Sequence, residues 1–220
     1  MGKIVAIEGA DGVGKNTAAR GLCDALNASG RRATVIGFPR YEETVGGVTI
    51  GRFLAGEMPV PVTPQAAAVL YALDRFESRT RIQAALDAHD VVIFDRYIAS
   101  NMAYQGAKLP EDEALGIMEW ILALETGQFA LPKPTLSIYL DVPWEIARKM
   151  ILEKEERSYT DRNLDEYEAD IALQQRVRAS YEKIVDGDIL GPWRVVRASE
   201  GGEMRAREAI VADMIRHVGA

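Results

Sequence analysis

The sequence predicts a three-layer α/β/α domain built on a parallel sheet of five strands. Three observations predict it. Short apolar runs recur along the chain, as parallel strands covered on both faces require. Amphipathic stretches of helical period alternate with them, which favours right-handed crossovers and a parallel sheet. A glycine-rich segment ending in lysine lies between the first run and the first helix. With 220 residues, 48% of them hydrophobic, the chain supports one sizeable core, and residues 1–220 are expected to form one domain.

The strands are expected at "KIVAIEG" (3–9), "ATVIGF" (33–38), "VVIFD" (91–95), "TLSIYLD" (135–141) and "WRVVRA" (193–198). The first helix, "NTAARGLCDALNAS", ends at Gly30, a residue suited to a C-cap. A second is expected over 64–88, with Pro64 near its start and Val69, Leu73, Phe76 and Thr80 along one face. Two more are expected over 111–127 and 165–185. Residues 148–162, "RKMILEKEERSYTDR", are dense in charge and read either as a solvated helix end or as a functional segment.

A net charge of −7 argues against a general nucleic-acid coat. The single cysteine, Cys23, suits a reducing compartment and reads as a core thiol. The first strand starts too early to leave room for a signal peptide, and no apolar run approaches the roughly 18 residues of a membrane span. A cytoplasmic protein that neither enters a membrane nor binds nucleic acid is expected.

The segment from Gly9 to Lys15 satisfies G-x-x-x-x-G-K between a strand and a helix. Gly9, Gly12 and Gly14 let consecutive N–H groups around Asp11 and Val13 face an anion, and the helix N-terminus adds its dipole. Lys15 adds a point charge for nucleotide phosphates. A hydroxyl after the lysine normally ligates Mg²⁺, but Asn16 stands there and Thr17 comes one residue late. The residues leave two routes open: the Asn16 amide oxygen as a weak ligand, or carboxylates, with Asp11 beside the phosphates and Asp95 at a strand end.

Further along, Tyr71 and Arg75 share a helix face, as do Tyr97, Asn101 and Tyr104. A ring can stack on a base, a guanidinium can donate to a carbonyl, and an Asn carries both donor and acceptor for a pyrimidine edge. Arg96 can grip a phosphate. Each has a plainer use: Tyr71 and Tyr104 as core aromatics, Arg75 in a surface pair near Asp74, Asn101 as a helix cap.

Taken together, "IEGADGVGK", "FPRY" (38–41), "LDR" (73–75), "DRYIASNMAY" (95–104), "LPKP" (131–134) and "LDVP" (140–143) resemble the thymidylate kinases, in the style of actinobacterial members, over residues 3 to about 181. The resemblance implies a P-loop kinase fold with a short mobile lid at about 148–162, and transfer of the γ-phosphoryl group of ATP to dTMP with Mg²⁺, usually in a homodimer. It implies donor contacts at Gly9, Asp11, Gly12, Val13, Gly14, Lys15, Asn16, Thr17 and Arg148. It implies acceptor contacts at Phe38, Tyr41, Tyr71 on the base, Arg75 on its carbonyl, Arg96, Asn101, Tyr104 beside the sugar 2′ position, and Tyr167. Catalytic charge is then expected from Lys15, Arg96, Asp11 and the lid residues Arg157 and Arg162, because "DGVG" holds no arginine. Metal contacts are implied at Asp11, Asp165 and Glu168, although Asp165 and Glu168 also have capping-box spacing.

An acceptor phosphate is largely dianionic at neutral pH and needs no general base. His89 and His217, the two histidines, lie outside every motif. Two rival readings stay open: another nucleoside or nucleoside monophosphate kinase, with Glu8 or Asp95 as a base, and a nucleotide-binding regulator without turnover.

Overall fold

The computed structural model describes residues 2–157 and 171–219, with the side chains of all of these except 154–157. Five strands, β1 (Lys3–Glu8), β2 (Ala33–Gly37), β3 (Val91–Asp95), β4 (Leu136–Asp141) and β5 (Trp193–Arg197), form one parallel sheet in the order β2-β3-β1-β4-β5. The apolar runs become β1 to β4, and the central two are covered on both faces: every residue of β1 after Lys3 is buried, and Val91 to Phe94 are at 0% exposure. β1 lies between β3 and β4, pairing Ile7 with Asp95 and with Ile138. The C-terminal ends of β1 and β3 therefore open side by side, where open α/β sheets hold their ligands.

Helices α1 (Lys15–Ala28), α2 (Val45–Leu54), α3 (Pro64–Glu77), α4 (Arg79–Ala88), α5 (Ile98–Gly106), α6 (Glu111–Leu122), α7 (Trp144–Arg157), α8 (Ile171–Asp186) and α9 (Arg207–Gly219) cover the sheet. A two-stranded hairpin, β6 (Ser199–Glu200) and β7 (Glu203–Met204), turns at Gly201 and Gly202, both at positive φ. α1 ends as expected, with Gly30 at φ +85 just beyond the cap.

Four features differ from the sequence expectation. The helix expected over 64–88 is broken at Ser78, whose Oγ bonds back to the Asp74 carbonyl at 2.8 Å. The inward face of α3 is also not the apolar stripe: Val69 is 41% exposed, while Ala68, Ala72, Asp74 and Arg75 are buried. That face holds charge, and the reason lies in the site it borders. The helix expected over 111–127 leaves the α-helical period at Ala123 and finishes as a π turn, Ala123–Gln128. α2, α9 and the hairpin are additional elements.

Candidate active site

Between β1 and α1 the chain bends through Gly9, Gly12 and Gly14, all at positive φ. A side chain on Gly12 would meet the Ala147 carbonyl at 2.3 Å, so α7 lies against the loop and only glycine fits. Gly14 caps α1 in the left-handed region with no side-chain cap, which leaves the first-turn N–H groups to an anion. Val13 anchors the loop in the core at 2% exposure, and Asn16 and Thr17 stand exposed on the first turn. Lys15 is buried, with Nζ 2.5 Å from the Ala10 carbonyl. Burial, and after it the charge of Arg96, pull its ammonium down to about 7, against Asp11, Asp95 and Glu8.

Arg96 follows β3 with φ 64, a conformation few side-chain-bearing residues adopt, and its N–H bonds to the Ile7 carbonyl at 3.1 Å. The turn sends its guanidinium to Asp11, with which it forms an ion pair, and over the Tyr104 ring at 5.4 Å. Asp11 also accepts from Tyr104 Oη at 2.5 Å and Gln174 Nε2 at 2.8 Å, while its own N–H donates to Gln174 Oε1 at 3.2 Å. Burial alone would raise the Asp11 carboxyl, but Arg96, Lys15 and these hydrogen bonds outweigh it and hold it at about 2. Burial and Asp11 push Tyr104 upward, so its hydroxyl remains a donor. Asp11, expected beside the metal, is thus surrounded by protein donors, and a cation reaching it would displace one of them. Asp95 instead faces the loop: Asn16 Nδ2 donates to its Oδ2 at 3.0 Å. Among the described residues no group of three or more His, Cys, Asp or Glu side chains could hold a metal on its own.

Among the residues expected at the acceptor, Arg75 is 2% exposed and forms a two-pronged bridge to Glu125, Nε and Nη2 each at 2.6 Å. The surface pair near Asp74 considered for it is not formed. Asn101 lies inside α5 and does not cap it; its Nδ2 donates to Glu125 Oε1 at 2.9 Å and the Ala68 carbonyl at 3.0 Å. Phe38 is in the core, its ring 5.8 Å from Phe94, with the Arg75 guanidinium 6.0 Å above it. Tyr97 is fully buried against Phe94 at 4.4 Å, a core ring at the head of the α5 stripe. Tyr71 is half-buried on α3, and Tyr41 is 47% exposed.

Arg148 is exposed, its guanidinium 5.5 Å from the Trp144 ring, and it lines a cavity of about 180 Å³ together with Asp11 and Gln174. Arg157 ends α7, but its side chain lies outside the described residues, as do Arg162, Asp165, Tyr167 and Glu168.

Four contributors were not singled out from the sequence in these roles. Glu8, at 0% exposure, accepts from Tyr97 N (2.8 Å), Ser100 Oγ (2.6 Å) and Tyr181 Oη (2.9 Å), and burial pushes it upward despite them. It braces the start of α5 and is occupied as an acceptor, so it is no base for an acceptor hydroxyl. Asp74 takes Thr44 Oγ1 at 2.5 Å and Arg40 N at 3.0 Å. Gln174 and Glu125 reach the site from elements remote in sequence. The one signal for Glu125 was an acid inside an otherwise apolar helical run, "ILALETG".

Comparison with known proteins bears on the fold and the family. A solved thymidylate kinase structure from Candida albicans superposes with a TM-score of 0.74 at 24% identity, covering 99% of this chain and 91% of that one, which supports the fold. A thymidylate kinase from Mycobacterium tuberculosis is 38% identical over 196 residues, 89% of this chain and 91% of the relative. The human thymidylate kinase is 29% identical over 202 residues, 92% of this chain and 85% of the relative. The family model described as "Thymidylate kinase" matches residues 7–203, and the chain belongs to that family.

Proposed function

We propose that catalysis here is positioning and charge neutralisation in the crevice between the α1 N-terminus and the inward faces of α3 and α5. Like its family, the enzyme transfers the γ-phosphoryl group of ATP to dTMP, giving dTDP and ADP. The observation that carries the mechanistic reading is the Arg96–Asp11 pair backed by Tyr104 and Gln174. It holds a permanent cation at the meeting point of the β1 and β3 ends, where donor and acceptor phosphates must approach. The backbone of Gly12 to Lys15 and the Lys15 ammonium hold the donor. Arg96 and Tyr41 align the acceptor phosphate, and Tyr71, Arg75 and Asn101 hold its base. Tyr104, rigid against Asp11, leaves a deoxyribose the room beside it. No residue needs to take a proton, because the attacking oxygen is already ionised. Arg148, Arg157 and Arg162 add charge from the segment after β4, and Tyr167 adds an acceptor contact from the same region.

Asp95, half-exposed at its strand end and bonded to Asn16, suits Mg²⁺, which keeps most of its water and takes one or two protein ligands plus phosphate oxygens. Asp95 and the Asn16 carbonyl oxygen are the residues that would hold the ion, with Asp165 and Glu168 as the further acidic candidates. An ion held by these residues would supply charge neutralisation at the phosphates.

Exposed apolar side chains on three helices, Val45 and Val48 on α2, Val69 on α3 and Leu115 and Trp120 on α6, support a homodimer. Among the described residues no helix is long and apolar enough to cross a membrane. That and the lone cysteine favour the cytoplasm, with ATP and dTMP as the partners and no nucleic acid. The test is an ADP-release assay across dTMP, dUMP, UMP, CMP, AMP and thymidine. dTMP should be preferred, with dUMP within about 10–200-fold, because one methyl group in an apolar pocket discriminates no better. Equal turnover of dTMP and CMP would remove the base-site assignment.

A further inference from the structure

We propose that Glu125, which need not touch the substrate, sets which pyrimidine the acceptor site takes by fixing the direction of the Asn101 amide. This rests on the reading of Arg75 and Asn101 as the base site. Asn101 is 2% exposed, and its Nδ2 donates both to Glu125 Oε1 and to the Ala68 carbonyl. Turning the amide over would set its oxygen against two acceptors, one of them a carboxylate. The orientation is therefore dictated. What it leaves behind is Asn101 Oδ1, buried and without a hydrogen-bond partner among the described residues. A buried orphan acceptor is costly, so it calls for a donor from the ligand.

The same carboxylate governs Arg75. It takes the Nε and Nη2 edge of the guanidinium, both at 2.6 Å, and leaves the Nη1 corner for a ligand. One buried glutamate thus presents an acceptor and a donor together. Their complement is a base edge with a ring N–H beside a carbonyl, as thymine and uracil have at N3 and O4. Cytosine is reversed at both positions, with a bare N3 and an amino group. Glu125 can reach both partners because it sits in the π turn Ala123–Gln128, where the added residue per turn redirects it from the α6 face. It is at 0% exposure, and among the described residues its carboxylate bonds to Arg75 and Asn101.

The experiment compares kcat/KM for dTMP and dCMP in the full-length protein and in Glu125→Gln, which has the same size but carries a donor in place of one oxygen. Glu125→Asp, which keeps a carboxylate for Arg75 but withdraws from Asn101, is the second variant, and thermal melting confirms that each is folded. The dTMP value should fall about 100-fold and the dCMP value much less, so that the ratio narrows by about 10-fold or more in both variants. KM for ATP should stay within about twofold, since the donor side is not touched. Independently, dTMP methylated at N3 should be turned over by the unaltered enzyme at least about 10³-fold less well than dTMP. If folded variants lose dTMP and dCMP activity by the same factor, Glu125 is only a structural support and the proposal is overturned. Equal use of the N3-methyl nucleotide overturns it as well. If the unaltered enzyme does not phosphorylate dTMP at all, the acceptor reading itself fails, a result distinct from either of these.

Discussion

Asn16 donates its side-chain amide to Asp95 across 3.0 Å, tying the first turn of α1 to the end of β3. The bond occupies Asp95 Oδ2. A threonine at this position restores a hydroxyl ligand and releases Asp95. Asn16→Thr should therefore retain activity and lower the half-saturating Mg²⁺ concentration by about threefold or more, measured as rate against free Mg²⁺. A variant that binds ATP normally but is inactive would show that the amide bridge itself is required.

The Asp11 carboxyl, held at about 2 against an ordinary 3.8, titrates far below its unfolded value. A depressed carboxylate stabilises the fold above the unfolded pKa, and that contribution disappears as pH falls from about 4 toward 2. Asp11→Asn should flatten this acid limb by about 2 kcal/mol in denaturant titrations at pH 2 to 5. Glu8 and Asp74, both raised by burial, titrate in the opposite sense in both proteins, so the difference between the two curves isolates Asp11. Turnover should fall about 100-fold in the same variant at neutral pH, because Arg96 loses the partner that aims it.

Lys15 at about 7 is only partly protonated at pH 7.5. A polyphosphate beside it favours the ammonium, so ATP binding should take up a fraction of a proton. Calorimetric binding enthalpies in buffers of different ionisation heat should report that uptake. Lys15→Met should abolish it along with most of the affinity. An unchanged proton uptake in Lys15→Met would assign the titration to another group.

Glu8 accepts from three donors and gives nothing to the crevice. Glu8→Gln places an amide N–H₂ against at least one of them and should cost about 1–3 kcal/mol of stability, read by thermal melting. Its pH–rate profile should keep the wild-type shape. A lost basic limb would revive Glu8 as a proton acceptor.

Further charge is expected from beyond β4, since the loop offers Lys15 alone against three transition-state oxygens. Replacing Arg157 or Arg162 by Ala should lower kcat about 100-fold or more for at least one of them, with KM for dTMP little changed. Near-normal kcat in both would leave the segment as a solvated helix end.

The strands and the phosphate loop were legible because each is contiguous: an apolar run needs only its own residues to announce burial on both faces. α2 was hidden by its glycines. A side chain at Gly46 would lie 2.5 Å from Asp74 N, and one at Gly47 would lie 2.0 Å from the Arg40 carbonyl. The helix is glycine-rich because it is pressed against its neighbours, and that pressure is tertiary. α9 did carry a readable stripe, Ile210, Val211, Met214 and Val218, but the expectation stopped at the last strand. In the site, Lys15, Arg75, Arg96 and Asn101 stood out by residue type and spacing. Glu125 and Gln174 did not, because they arrive from 50 and 163 residues away and owe their place to packing that no local window records. The apolar stripe expected on α3 misled for a related reason. The helix turns its charged residues inward, since Glu125, Thr44 and Arg40 wait there to satisfy them.

The pairing of Ile7 with Asp95 places the ends of β1 and β3 one strand spacing apart, about 4.8 Å. The phosphate loop grows from one end and Arg96 from the other, so, with Arg96 on the acceptor phosphate as proposed, the sheet is the ruler between the two phosphate contacts. The residues proposed to read the base sit elsewhere, on α3 and α5, with Glu125 behind them in the π turn. Acceptor preference can therefore be redesigned on those helices while the ruler stays as it is. Conversely, an apolar substitution deep in β1 or β3 that shifts their register is a kinetic mutation, even though it lies wholly within the core.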